Sequence, residues 1–158
     1  MPSLRLAVLV LAMVWSSAAL ACEPCLSKTP LERTVEQSSV IILVKNDDQD
    51  SSADLETGPD VVNLSIEKVY RGRVNTSSIL VRSWYGSCAY GVHLKLRERA
   101  ILMLQEMTDV ATGKWDGTYK LIEEGCSQGQ LEVRGDFVWV NNNWIPISLF
   151  VSKYISFW

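Results

Sequence analysis

The chain has 158 residues, with 15 Lys and Arg against 18 Asp and Glu and a formal net charge of −3. This mild acidity, without a basic cluster to compensate phosphate charge, argues against nucleic acid or an anionic membrane as a partner. The length is that of one compact domain with its own core and leaves little room for a second.

The first 21 residues have the order of a secretory signal peptide. Arg5 supplies the positive charge, Leu6–Trp15 is a short apolar run, and Ala19–Ala21 provides the small residues of a cleavage site. The apolar run is well short of the ~20 residues that cross a bilayer, so no transmembrane segment is expected. We predict cleavage after Ala21, export to the periplasm or the extracellular space, and one mature domain over residues 22–158.

The predicted mature chain contains four cysteines: Cys22, Cys25, Cys88 and Cys126. An even number in an exported chain favours two disulfides. A ring between Cys22 and Cys25 would be tight and strained, whereas linking both to the distant cysteines closes loops that stabilise by about 4 to 5 kcal/mol each in the chain-entropy model. Long-range pairing is therefore preferred, and which early cysteine pairs with which late one stays open.

Other uses of the cysteines are less favoured. A redox C-x-x-C follows a strand and opens a helix, and nothing precedes Cys22–Cys25 in the predicted mature chain. A four-cysteine zinc site needs two close pairs, whereas Cys88 and Cys126 are each solitary. Acylation of Cys22, as in bacterial lipoproteins, is a further alternative that the position of Leu20 disfavours.

Local patterns predict a short helix and then strands. Thr29–Glu32 has the sequence of a capping box and starts a helix over Pro30–Gln37. Val40–Val44 is a continuous β-branched run, typical of a strand buried on both faces. The acidic stretch Asn46–Asp60 has no periodicity and is expected to be a mobile loop. Apolar and polar residues alternate over Val62–Tyr70, which predicts a half-buried strand.

The second half of the chain continues with short strands. After a turn at Arg71–Arg73, strands are predicted at Ile79–Trp84, Ala100–Leu104 and Tyr119–Ile122, with Gly113 and Gly117 in a loop before the last. Leu131–Arg134 and Phe137–Val140 flank Gly135-Asp136 as a hairpin, which Asn141–Asn143 ends. From Ile147 onwards, apolar residues at spacings of three and four predict a terminal amphipathic helix. These elements favour a mainly β fold: a closed, five-stranded antiparallel barrel with a helix at each end.

A set of short motifs follows a fixed order along Cys22–Cys126. They are the cysteine pair, the short helix, Ser39–Lys45, Ile66–Gly72, Ser87–Gly91, Arg99–Leu104 and Gly125-Cys126. In this order they resemble the netrin-module superfamily, specifically the inhibitory domain of tissue inhibitors of metalloproteinases and their bacterial relatives. The resemblance implies that residues 22–158 form a single domain of this type, with an OB-type five-stranded barrel.

The same resemblance implies a binding site. It pairs Cys22 with Cys88 and Cys25 with Cys126. It also implies that the free amine and the carbonyl of Cys22 chelate the catalytic zinc of a target protease, which is the only metal contact expected. The protease-binding ridge it implies consists of Cys22, Glu23, Pro24, Cys25, Ser87, Cys88, Ala89 and Tyr90.

The sequence departs from the animal inhibitors near this ridge. Two residues, Glu23 and Pro24, separate the first two cysteines where the animal proteins have one, and Pro24 fixes its own φ. The third disulfide and the second domain of the animal proteins have no counterpart in this sequence. The fold is therefore carried over more firmly than the inhibition, because a fold does not transmit a site.

No catalytic constellation is found. His93 is the only histidine, which excludes a histidine-based triad, and no phosphate loop, nucleophile elbow or zinc-protease motif occurs. We expect no enzymatic activity and no cofactor, and predict an exported inhibitor of a zinc metalloprotease.

The alternative to an inhibitor is a non-enzymatic module of the cell envelope or the extracellular space that binds protein or carbohydrate. The tryptophans bear on this choice: Trp84, Trp139, Trp144 and Trp158. We expect them to form core or to cover sheet edges, and an exposed aromatic patch would instead favour the binding module.

Overall fold

The computed structural model describes residues 31–47, 61–82, 91–122 and 129–156. The helices in these ranges are α1 (Leu31–Gln37) and α2 (Ile147–Phe150), and α2 continues as a π-helical turn, Val151–Ile155. The strands are β1 (Val40–Lys45), β2 (Val61–Arg71), β3 (Ser78–Arg82), β4 (Arg99–Thr108), β5 (Trp115–Leu121), β6 (Gln130–Arg134), β7 (Phe137–Val140) and β8 (Asn143–Pro146).

Five of these strands close into a barrel in the order β1-β2-β3-β5-β4, and β1 pairs with β4 to complete the ring. This confirms the predicted mainly β fold with a five-stranded OB-type barrel. The ring is not antiparallel throughout, since β3 and β5 run parallel where Val81 pairs with Tyr119. The reason is geometric: strand directions cannot alternate all the way around a ring with an odd number of members.

Strand β1 and the first half of β4, Ala100–Leu104, are apolar on both faces, as predicted for Val40–Val44. Alternate side chains point into the barrel, where the buried residues from these two strands are Val40, Ile42, Val44, Ala100, Leu102 and Leu104. The intervening side chains form part of a second core on the outside of the barrel: Ile41, Leu43, Ile101 and Met103. Because side chains on a strand have a period of two, a strand with two buried faces must belong to two cores.

The second core is covered by the C-terminal half of the chain and by α1. Strands β6, β7 and β8 continue the sheet from β4 as an antiparallel meander. Leu31 and Val35 of α1, together with Phe150, Tyr154 and Ile155, pack against the apolar inner face of this sheet. The predicted hairpin of β6 and β7 and the predicted terminal helix are both present.

Some local predictions need correction. Gly117 lies within β5 rather than in a loop, and β4 extends to Thr108. The asparagine run does not end the hairpin, because Asn141 and Asn142 adopt φ values of 48° and 65° and turn the chain into β8. Two left-handed residues make the tight turn whose twist matches paired strands, and asparagine tolerates that conformation.

Several predictions concern residues outside the described ranges. These are the signal peptide, the four cysteines, the loop over residues 48–60, and Trp84 and Trp158. Within the described ranges, no helix has the length and hydrophobicity needed to span a membrane.

The barrel predicts unequal costs for the same substitution at an interior and an exposed position on two of its strands. Leu102 is fully buried in the barrel, whereas Leu80 on β3 is 43% exposed. We expect Leu102→Ala to lower the free energy of unfolding by about 2–5 kcal/mol because it leaves a cavity. Leu80→Ala should stay within about 0.5 kcal/mol of the parent. Urea unfolding measures both, and equal losses would contradict the assignment of Leu102 to the barrel interior.

Candidate functional site

The predicted protease-binding ridge lies entirely outside the described residues, as does Cys126. The ridge residues are Cys22, Glu23, Pro24, Cys25, Ser87, Cys88, Ala89 and Tyr90. What the structure does describe is the framework on each side of these segments. It consists of the start of α1, the end of β3, the segment before β4, and the ends of β5 and β6 that face residues 123–128.

The described chain stops at the same end of the barrel before two connecting segments, residues 48–60 and 83–90. At this end Lys45, the last residue of β1, pairs with Arg99, the first residue of β4. Arg82 at the end of β3 pairs with Val61 at the start of β2 in the same way. The chain therefore leaves the described part here both before residues 48–60 and before residues 83–90, which include the predicted ridge residues around Cys88.

The end of β3 is held by a polar cluster. The Arg82 guanidinium donates to Thr118 Oγ1 and to Asp116 Oδ2, each at 3.0 Å. Asp116 Oδ1 accepts the Thr118 hydroxyl at 2.6 Å and the Thr118 backbone N–H at 2.8 Å. These hydrogen bonds from Thr118, and then the Arg82 charge, lower the pKa of Asp116 below its ordinary value of 3.8. Arg82, the residue before residues 83–90, is thus held against β5.

The segment after residues 83–90 closes this end of the barrel from within. Val92 and Leu94 are buried in the barrel core. The Gln130 side chain clamps the intervening residue, accepting the His93 N–H at 2.9 Å and donating to the His93 carbonyl at 2.8 Å. Asn46 Nδ2 donates to the Leu94 carbonyl at 2.9 Å. His93 therefore lies on a pinned segment, and partial burial lowers the pKa of its imidazole.

Residues 123–128 begin and end at the same point on β4. The Ile122 N–H donates to the Met103 carbonyl at 3.0 Å, and the Met103 N–H donates to the Gly129 carbonyl at 2.7 Å. Strands β5 and β6 thus lie end to end along β4, and Ile122 with Gly129 forms a neck below the segment that contains Cys126. The neck is so tight that a Cβ on Gly129 would come within 2.5 Å of the Ile122 carbonyl oxygen.

The neck and α1 share one core. Met103, between the two halves of the neck, belongs to the outer core together with Leu31 and Val35 of α1. Helix α1 follows residues 22–30, so the chain that contains Cys25 enters the described structure at the same core that supports the neck. This arrangement is compatible with a Cys25–Cys126 bridge, which stays a prediction.

Aromatic side chains lie on the outer face of the meander. Phe137 and Trp139 are 47% and 37% exposed, respectively. Trp139 and Trp144 pack against each other across β7 and β8 with ring centroids 5.2 Å apart, and the Arg134 guanidinium lies 5.0 Å from the Trp144 ring. The two tryptophans therefore pack on the outer face of the sheet and leave part of their surface open to solvent, rather than forming core.

Comparisons with protein-family models, curated proteins and known structures gave no match. In the described part of the chain, no group of three or more His, Cys, Asp and Glu side chains is placed to hold a metal ion. Sequence reasoning did not anticipate the Arg82 cluster or the neck. The only local sign of the neck was Gly129, a few residues after Cys126.

The close packing at the neck predicts that Gly129→Ala is destabilising. The added methyl group must push the Ile122 carbonyl away, which we expect to cost about 1–3 kcal/mol in the free energy of unfolding. The control is Gly113→Asn, because Gly113 has a φ of 66° with nothing within 4 Å of a Cβ, and asparagine tolerates that conformation. Urea unfolding compares the two, and a Gly129→Ala variant as stable as the control would contradict the neck.

The Arg82 cluster predicts a pH-dependent contribution from Asp116. A carboxyl group with a lowered pKa in the folded state stabilises above its unfolded pKa, and this contribution is lost as the pH falls through the lowered value. Asp116→Asn should therefore lower the thermal midpoint near neutral pH, and the difference from the parent should shrink at pH values below 3.8. Asp136→Asn, at an exposed position on the β6–β7 turn, is the matched control. A difference that does not vary with pH would contradict the role of the Asp116 charge.

Proposed function

We propose that the mature chain is an exported inhibitor of zinc endopeptidases that acts through its N-terminal residue, Cys22. The observation that carries this proposal is the closed ring β1-β2-β3-β5-β4, the barrel that the resemblance to metalloproteinase inhibitors implies. Because the fold alone does not determine function, the residues of the ridge carry the chemical part of the proposal.

The chemistry requires a free amine at the first residue. The α-amino nitrogen and the carbonyl oxygen of Cys22 form a five-membered chelate with a metal ion. A catalytic zinc has three protein ligands and an open position held by water, which the chelate displaces. Signal-peptide cleavage after Ala21 creates this amine. An acylated Cys22 would have neither the amine nor the first disulfide.

The described framework supports the proposal through rigidity. A loop that is already ordered loses less conformational entropy when it binds. The Arg82 cluster fixes the base of residues 83–90, and the Ile122–Gly129 neck fixes both ends of residues 123–128. The two segments that contain Cys88 and Cys126 therefore start from fixed strands, and disulfides to Cys22 and Cys25 would transmit that rigidity to the N-terminus.

The extra residue between the first two cysteines bears on the range of targets. Glu23 and Pro24 replace a single residue, and Pro24 holds φ near −65°. The chain that enters the protease cleft after the chelate must therefore follow a different path from that of the animal inhibitors. We propose that the target is a zinc endopeptidase whose cleft accommodates this path.

The test compares two forms of the oxidised mature protein against a panel of zinc endopeptidases. One form begins at Cys22, and the other has a single Ala placed before it. The extension moves the free amine away from the chelating position, so we expect inhibition to weaken by at least about tenfold, or about 1.4 kcal/mol. Residual peptidase activity at increasing inhibitor concentration gives both inhibition constants.

The pH dependence of the same assay is an independent readout. An α-amino group with a pKa of about 7.7–8.0 must lose its proton to bind zinc, so the form beginning at Cys22 should gain potency as the pH rises towards about 8. The extended form should lack this gain. Equal inhibition by both forms at every pH would exclude the chelate, and no inhibition by either form would leave the second candidate below.

The second candidate is a non-enzymatic binding module, and the exposed aromatic face of β6, β7 and β8 favours it. Trp139, Trp144 and Phe137 present ring surface to solvent beside Arg134. Exposed aromatic groups of this kind are typical of protein- or carbohydrate-binding surfaces. Binding through this face would be insensitive to an N-terminal extension, which separates it from inhibition by Cys22.

A further inference from the structure

A groove of about 620 Å³ lies beside the start of β4, between the segment that closes the barrel and strand β6. Three arginines line it, Arg97, Arg99 and Arg134, together with two carboxylates, Glu98 and Glu132. The volume is in the range of small-molecule sites. The lining thus holds three cationic and two anionic side chains, on a protein with a formal net charge of −3.

Two of the three arginines already have partners. Arg99 forms an ion pair with Glu67 at 2.7 Å and donates to the Gly135 carbonyl at 2.7 Å. Arg134 pairs with Glu132 at 2.7 Å and lies over the Trp144 ring. Both guanidinium groups thus have a carboxylate partner.

Arg97 is different. Among the described residues, no carboxylate lies within ion-pair distance of its guanidinium group. The neighbouring Glu98 carboxylate accepts the Lys95 N–H at 2.9 Å instead. The Arg97 charge acts on Asp47, whose pKa is lowered first by its hydrogen bond to Lys45 and only weakly by Arg97. Of the three arginines in the groove, Arg97 is thus the one without an ion-pair partner among the described residues.

The backbone of Arg97 is also in an unfavourable conformation. It has a φ of 68° in a tight turn closed by the Glu98 N–H and the Lys95 carbonyl at 3.0 Å, and its own N–H donates to the Asn46 carbonyl at 2.6 Å. Such a position favours glycine or asparagine. The other described residues with left-handed φ are Asn141, Asn142 and glycines, so Arg97 is the costly exception. Strained backbone positions of this kind cluster at binding and active sites.

We propose that this groove binds the oxyanion group of a ligand, a carboxylate, sulfate or phosphate, and that Arg97 is the residue that holds it. A guanidinium group binds such groups with two parallel hydrogen bonds. Arg134 and Gln130 line the same groove and offer further hydrogen-bond donors. The proposal does not depend on protease inhibition, since none of its residues belongs to the ridge around Cys22.

The test measures binding of defined oxyanions to the oxidised mature protein by calorimetry at low ionic strength. The probes are citrate, inorganic phosphate and sulfate as free anions, and tetragalacturonate as a carboxylate on a chain of sugar rings. We expect at least one probe to bind, and Arg97→Ala to weaken that binding by at least about tenfold. Preference for tetragalacturonate would indicate that the oxyanion belongs to a glycan, and preference for a free anion would indicate a small metabolite. Either result supports the proposed binding in the groove.

Three further variants make the result specific. Arg73→Ala removes the same charge from a residue outside the groove and should leave affinity within about twofold, because screening limits a distant surface charge. Asp47→Asn removes a carboxylate whose charge interacts with that of Arg97, and it should tighten binding. Arg97→Gly should abolish binding yet raise the thermal midpoint, because glycine adopts the left-handed conformation without strain. Equal losses in Arg73→Ala and Arg97→Ala, unchanged affinity in Arg97→Gly, or no binding of any probe would overturn the proposal.

Discussion

The pairing of β1 with β4 is the contact on which the rest of the structure depends. Six consecutive residues, Val40–Lys45, pair with Arg99–Leu104, and this seam closes the barrel. Over this seam both strands are apolar on both faces, so the two cores lie on opposite sides of it. Burial on both sides excludes water from its hydrogen bonds. A shift of one residue would move the side chains of one strand into the other core, where their shapes do not fit the close packing.

Strand β4 also determines where β5 and β6 pair. Its second half pairs with β5 and its first half with β6, so the chain changes partner position at Met103 and must make an excursion there. That excursion is residues 123–128, which include Cys126. The barrel therefore determines where the predicted second disulfide is anchored, and the same strand begins at the groove that Arg97 lines. Core packing and both proposed sites are linked through one strand.

The barrel could be predicted from the sequence because its signals are local. Val40–Val44 is a β-branched run long enough for a strand and too short for most helices, and the alternation over Val62–Tyr70 indicates one buried face. Strand β8 was missed because Asn141–Asn143 resembles a simple stop, and only the φ values reveal a hairpin turn. The parallel β3–β5 seam follows from ring closure, which no local pattern encodes.

The candidate sites also differ in how far the sequence predicts them. The ridge around Cys22 was predicted from motif order, and its segments lie outside the described residues. The neck had no sequence sign beyond Gly129 itself, and the strained turn at Arg97 had none, because each depends on a contact that sequence patterns do not reveal: Ile122 against Gly129, and Asn46 against Arg97.

Arg97 illustrates why such sites escape prediction from sequence. Residue preferences at a turn report what stabilises the fold, and they point to glycine or asparagine at this position. An arginine there lowers stability and is tolerated because the β1–β4 seam and the clamp of Gln130 on His93 hold the surrounding chain in place. Local preference and the observed residue disagree where function is expected, since binding requires a charge where folding alone would not place one.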